Sequence, residues 1–91
     1  MSETISITKL SASDIKEKGI MSWDVWEKGK SVFPWIYTTE ETSYFLEGRV
    51  KVTTLDKKTY TIGSGDLVVF PVGLECTWEI IEPVTKYYTY S

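Results

Sequence analysis

Between Thr4 and Leu10 the apolar residues Ile5, Ile7 and, after one irregular step, Leu10 fall on alternating positions. That is the period of a first strand with one buried face. Ser11 to Gly19 reads differently. Ser11 or Ser13 can cap a helix, Asp14 lies in its first turn, and Lys16 and Lys18 precede Gly19 as a stop. This is the one helix the chain predicts, and it is short.

From Trp23 onward, apolar runs of strand length alternate with Gly, Pro or Asp-Lys punctuation. The spacing predicts strands at Val25–Glu27, Ser31–Tyr37, Thr42–Glu47, Arg49–Leu55, Thr59–Ile62, Asp66–Phe70, Glu75–Ile81 and Thr85–Tyr90. Turns are expected at Asp56-Lys57-Lys58, Gly63-Ser64-Gly65 and Pro71-Val72-Gly73, with a loop from Thr38 toward Glu41. Val50, Val52 and Thr54 alternate with Lys51 and Thr53, giving one dry and one wet face. Leu67 to Phe70 is apolar on both faces and needs cover on both. Tyr87, Tyr88 and Tyr90 put aromatics on both faces of the last strand, which must be interior or covered by a partner. Many short strands in 91 residues point to an all-β sandwich or small barrel, one domain over residues 1–91. Residues 1–22 hold the first strand and helix, and 23–91 the barrel.

Charge adds a boundary. Ten Lys plus Arg stand against thirteen Asp plus Glu, the basic residues are scattered, and Arg49 is the sole guanidinium. That composition argues against nucleic-acid and anionic-membrane partners. The alternating N-terminus, with Glu3, has neither the form of a signal peptide nor that of a membrane span. The single cysteine, Cys76, allows no internal disulfide, so a cytoplasmic setting is expected.

Absences decide more. The chain has no His, Asn or Gln. Triads that need imidazole, three-His zinc sites and two-His facial triads are excluded.

Two stretches carry a regular spacing. The first is Trp35, one residue, Tyr37, three residues, Glu41, six residues, Gly48. The second is Gly65, five residues, Pro71, one residue, Gly73, two residues, Cys76. These resemble the two motifs of the cupin superfamily, whose fold is a double-stranded β-helix, an RmlC-like jelly-roll barrel. The wording from Glu41 to Val50, Gly65 to Gly73 and Glu75 to Trp78 is similar to that of small single-domain cupins. It resembles the branch holding the (S)-ureidoglycine aminohydrolase cupin domain and the EutQ-like proteins. The likeness runs from about Trp23 to the C-terminus, with Trp23, Trp26 and Glu27 leading in and Val84, Lys86 and Tyr88 near the end.

The resemblance implies metal-ligand positions. Trp35, Tyr37 and Cys76 stand where the family has His, and Glu41 stands at the carboxylate position. A divalent metal held by Glu41 and Cys76 is therefore a candidate cofactor, with Tyr37 able to add a phenolate only to a hard metal. The implied pocket is aromatic, with Trp35, Tyr37 and Trp78 shaping a small organic ligand and Lys86 a further candidate contact.

A metal-free reading stays open beside it. If Glu41 and Cys76 lie close together, each disfavours the other's anion, making Glu41 a candidate acid or base and Cys76 a protonated thiol. A Lys86 that reached in would reverse this. Two functions remain: a small-molecule enzyme using Glu41 and Cys76, and a non-catalytic ligand-binding or structural module. A homodimer is expected in either case, from the Tyr-rich edge and the free N-terminal strand.

Overall fold

A computed structural model of the chain describes residues 5–90; Thr4, the expected start of the first strand, lies outside them. The elements in chain order are β1 (Ser6–Lys9), α1 (Ala12–Lys18), a 3₁₀ turn (Ile20–Ser22), β2 (Asp24–Lys28), β3 (Ser31–Ile36), β4 (Glu41–Thr54), β5 (Thr59–Gly63), β6 (Asp66–Phe70) and β7 (Glu75–Tyr90). The fold is all-β with one short helix, as the resemblance implies. Among the described residues no helix is long and apolar enough to cross a membrane.

Two strands are longer than the sequence pattern predicts. The expected pairs 42–47 with 49–55 and 75–81 with 85–90 are each one strand, β4 and β7, paired antiparallel along most of their length. The ladder is interrupted by register shifts between Phe45 and Val50. Gly48 sits in that interval with φ +99°, and a Cβ there would lie 2.3 Å from the Pro83 carbonyl oxygen. Backbone this close to backbone leaves room for glycine alone, and such bulges bend a strand without ending it. The sequence signal for a break was in fact a signal for a bend.

The bend divides the strands between two walls. Glu41–Tyr44 pairs with β6, which pairs in turn with β1, while the end of β7 pairs with β2. Beyond the bend, Arg49–Thr53 pairs with β5 and the start of β7 with β3. The core fills the space between: Phe45, Val68, Phe70 and Val84 from one wall, Val50, Val52, Ile62, Trp78 and Ile80 from the other. Each such side chain, taken from water, contributes about 1.5–3 kcal/mol.

Local chemistry accounts for the smaller elements. Ser11 Oγ accepts from Asp14 N while Ser11 N donates to Asp14 Oδ2, a reciprocal cap that starts α1, and Gly19 at φ +64° stops it. In the Gly63–Gly65 turn the Asp66 carboxylate accepts from Gly63 N at 2.8 Å and pairs with Lys9. β6 lies inside the sheet between β1 and β4, with Val68 and Phe70 buried on its core face and Leu67 and Val69 half-buried on the other. The last stretch of β7 is likewise interior, between β4 and β2. β1 departs from expectation: Ile5 is buried but Ile7 is exposed, because β1 is an edge strand paired only with β6.

Candidate functional site

Glu41 opens β4, where the pattern reads a loop's end, and the two-residue period of the strand puts Ser43 and Phe45 on the same inward face. On β7, Val84 and Lys86 hold the corresponding inward positions, and Lys86 is the register partner of Phe45. Glu41 and Lys86 therefore meet inside the barrel. Lys86 Nζ donates to Glu41 Oε2 at 2.6 Å, and Ser43 Oγ donates to the same oxygen at 2.7 Å. Both charged side chains are nearly closed to water, at 7 % and 6 % exposure.

Aromatic faces enclose the lysine. The ring centroids of Trp78, Trp26, Phe70, Tyr88 and Phe45 lie 4.9–5.9 Å from Nζ. Such faces attract an ammonium, more strongly once it has lost water. Burial still pulls the Lys86 pKa below its ordinary value, against the charge and hydrogen bond of Glu41.

Above the pair opens a cavity of about 550 Å³. Trp26, Phe33, Tyr37 and Trp78 wall it, Trp35 and Tyr90 stand exposed at its edge, and Lys28 adds a second positive charge. Tyr37 lies just beyond β3 and is fixed by its main chain, which donates to Leu74 O and accepts from Gly73 N. Its ring stacks on Phe70 with centroids 4.7 Å apart. Burial, and then the negative charge of Glu41, push the Tyr37 hydroxyl well above the ordinary phenol range, so it stays protonated. Trp78 Nε1 is buried and has no hydrogen-bond partner, though its nearness to Tyr37 and Cys76 works against the upward shift of each.

Of the residues singled out from sequence, the cavity gathers Trp35, Tyr37, Glu41, Trp78 and Lys86, but not Cys76. Cys76 is buried and faces inward, yet its thiol contacts the Trp35 carbonyl at 3.7 Å rather than the cavity. The mutual repulsion expected of Glu41 and Cys76 gives way to the Lys86 ion pair. The Cys76 pKa is pushed up to about 11 by burial, with no contribution from Glu41. Trp26, Phe33 and Tyr88 were not singled out as ligand contacts. For Trp26 and Phe33 the signal lay in the register with β7, which places them opposite Lys86 and Trp78, and Tyr88 follows Lys86 by two residues on the same strand.

The comparisons with known proteins fit this geometry. The family model described as the EutQ-like cupin domain matches residues 15–88. This chain belongs to that family. A crystal structure of a DUF861 family protein from Thermotoga maritima is 48 % identical to this cupin, covers 97 % of it and all of the other chain, and superposes with a TM-score of 0.94. A putative ethanolamine utilization protein Q from Salmonella typhimurium matches 94 % of this chain and 68 % of its own at 21 % identity, TM-score 0.67. The Clostridium difficile EutQ protein matches 98 % and 69 % at 20 % identity, TM-score 0.65. At those identities the two EutQ structures share the fold alone. No curated protein matches the chain.

The cupin's donor set does not fit the metal that its ligand positions imply. At those positions Trp35 offers an indole without a donor lone pair, Tyr37 a protonated phenol and Cys76 a protonated thiol directed elsewhere. The carboxylate oxygen of Glu41 already holds an ammonium at 2.6 Å. Among the described residues no group of three or more His, Cys, Asp or Glu could hold a metal ion. A tethered cation stands beside the carboxylate that the family's geometry assigns to a metal.

Proposed function

We propose that this cupin binds a small organic acid with an apolar or planar body in its aromatic cavity. The observation that carries the reading is the floor: a buried Lys86–Glu41 pair beneath an open, aromatic-walled pocket. Two lysines, Lys28 and Lys86, against one glutamate leave the lining with a surplus positive charge. The protonated Tyr37 hydroxyl adds a donor. A carboxylate supplies both the negative charge and the acceptor oxygens, and the rings supply stacking area. A buried ion pair is a poor choice for stability alone, since apolar residues of similar volume serve as well or better.

Thermal denaturation with a matched panel tests this: small aromatic and aliphatic carboxylates, their amides, and the corresponding amines. At a concentration of about 100 Kd, linkage raises stability by about 2.7 kcal/mol. The carboxylates are expected to stabilise and the amines not. Equal shifts across the panel, or none, would sink the reading.

The misfit to a metal favours a binding role without metal chemistry over a metal-assisted enzyme. The proposal keeps the homodimer. β2 and β3 each pair with β7 alone, and Val25, Val32 and Ile36 on them are exposed apolar residues that a second copy could cover. A monomeric mass in solution at micromolar concentration would overturn that part.

A further inference from the structure

We propose that Lys86 captures the carbonyl group of a small oxo acid as an imine on the cavity floor, with Glu41 carrying the proton that moves. This rests on reading the cavity as an acid-binding pocket, and it names the ligand class more narrowly.

The geometry provides each part. Lys86 lines the cavity, and its described hydrogen bond runs to Glu41 Oε2. At 2.6 Å that contact is a proton path: the ammonium gives one proton to the carboxylate and its nitrogen gains a lone pair. The amine attacks the carbonyl carbon, the C–N bond forms, and the carbonyl π electrons move to oxygen. The oxygen takes one proton from the new ammonium and then the proton held by Glu41, and leaves as water as the C=N bond forms. Ammonium plus carbonyl thus gives iminium plus water, with charge conserved and no oxidant or reductant.

The surroundings suit the product as well as the reactant. Five aromatic faces and the Glu41 carboxylate surround the cation, and the iminium keeps its positive charge at the same nitrogen. Burial, which favours the neutral amine, is a recognised way to activate a lysine nucleophile. The Lys28 charge in the same lining suits the oxygens of the bound acid.

The test is reductive trapping. The protein is incubated near neutral pH with glyoxylate or pyruvate and cyanoborohydride, and the modified lysines are located by peptide mapping. The exposed Lys30 and Lys57 are internal references within the same sample. Burial favours the neutral amine and Glu41 stands ready to take its proton, so Lys86 is expected to label faster than both references despite its burial. Propionate, an acid of similar size that cannot form an imine, should suppress labelling at Lys86 and leave Lys30 and Lys57 unchanged. Glu41→Gln should slow labelling at Lys86 alone. Should that variant not fold, the wild-type map decides by itself. If small acids raise the melting temperature but Lys86 labels no faster than Lys57, the imine is overturned and the binding reading stands. If neither occurs, both fall.

Discussion

Lys86 and Glu41, forty-five residues apart, form a 2.6 Å ion pair in which both side chains are almost wholly withdrawn from water. Five rings close around the lysine and a hydroxyl, Ser43, supports the carboxylate. Losing either partner strands the other.

Lys86→Met and Glu41→Gln should each destabilise the fold, the first by about 3–5 kcal/mol because it leaves a bare buried carboxylate. The double variant should cost less than the sum, with a coupling of about 1–3 kcal/mol in urea unfolding. Additive effects would mean that the two groups do not depend on each other.

Cys76 should react slowly with a disulfide reagent at pH 7.5, since burial holds its pKa near 11 and the thiolate is the reacting form. Rapid labelling of the folded protein would contradict the structure. Linkage gives a second readout. Below pH 9.0, the ordinary value, the thiol is protonated in both folded and unfolded chains and its contribution is whole. From pH 9.0 to about 11 the unfolded chain gives up its proton more readily, so stability falls as pH rises. Cys76→Ala should flatten that part of the profile. Tyr37 acts in the same sense, from its own ordinary value of 10.0 upward, and Lys86, whose pKa is lowered, acts in the opposite one.

Gly48→Ala should be among the most damaging single changes. A Cβ there meets Pro83 O at 2.3 Å and Val84 Cα at 2.7 Å, both backbone, at φ +99°. The φ alone costs about 1–3 kcal/mol and the contacts add to it. Gly29→Ala is the control, since nothing lies within 4 Å of its added Cβ, and its effect should stay within about 0.5 kcal/mol. Comparable midpoints in urea for the two variants would refute the bend as described.

Trp35 separates binding from stability. It is 49 % exposed at the cavity's edge and packs edge-on against Tyr37. Trp35→Ala should change stability by less than about 1 kcal/mol, while removing an aromatic contact of about 0.5–1.5 kcal/mol from the ligand. Affinity for the best carboxylate of the panel should fall about two- to tenfold by calorimetry. Unchanged affinity would place the ligand elsewhere.

Much of this molecule was legible residue by residue. Ser11, Asp14 and Gly19 announce a helix and its two ends because capping is a contact between neighbours in the chain. Val50, Val52 and Thr54 reveal an inward face because alternation is a property of one strand. The turns at Asp56–Lys58, Gly63–Gly65 and Pro71–Gly73 are local too, and so is the spacing of Trp35, Tyr37, Glu41 and Cys76 that pointed to the cupin fold.

The site itself depended on distance in sequence. Whether Gly48 ends a strand or bends it is decided by Pro83, which comes within van der Waals range only once β4 and β7 are paired. Whether Glu41 faces a metal, a thiol or an ammonium is decided by the register that sets Phe45 opposite Lys86. Trp26 reaches the lysine, and Cys76 turns to the Trp35 carbonyl instead of the cavity, for the same reason. Composition, periodicity and capping are short-range and can be read from the chain. The pairing of charges and rings inside a barrel is a sum over strands that meet only on folding, and that sum put a lysine on the cavity floor.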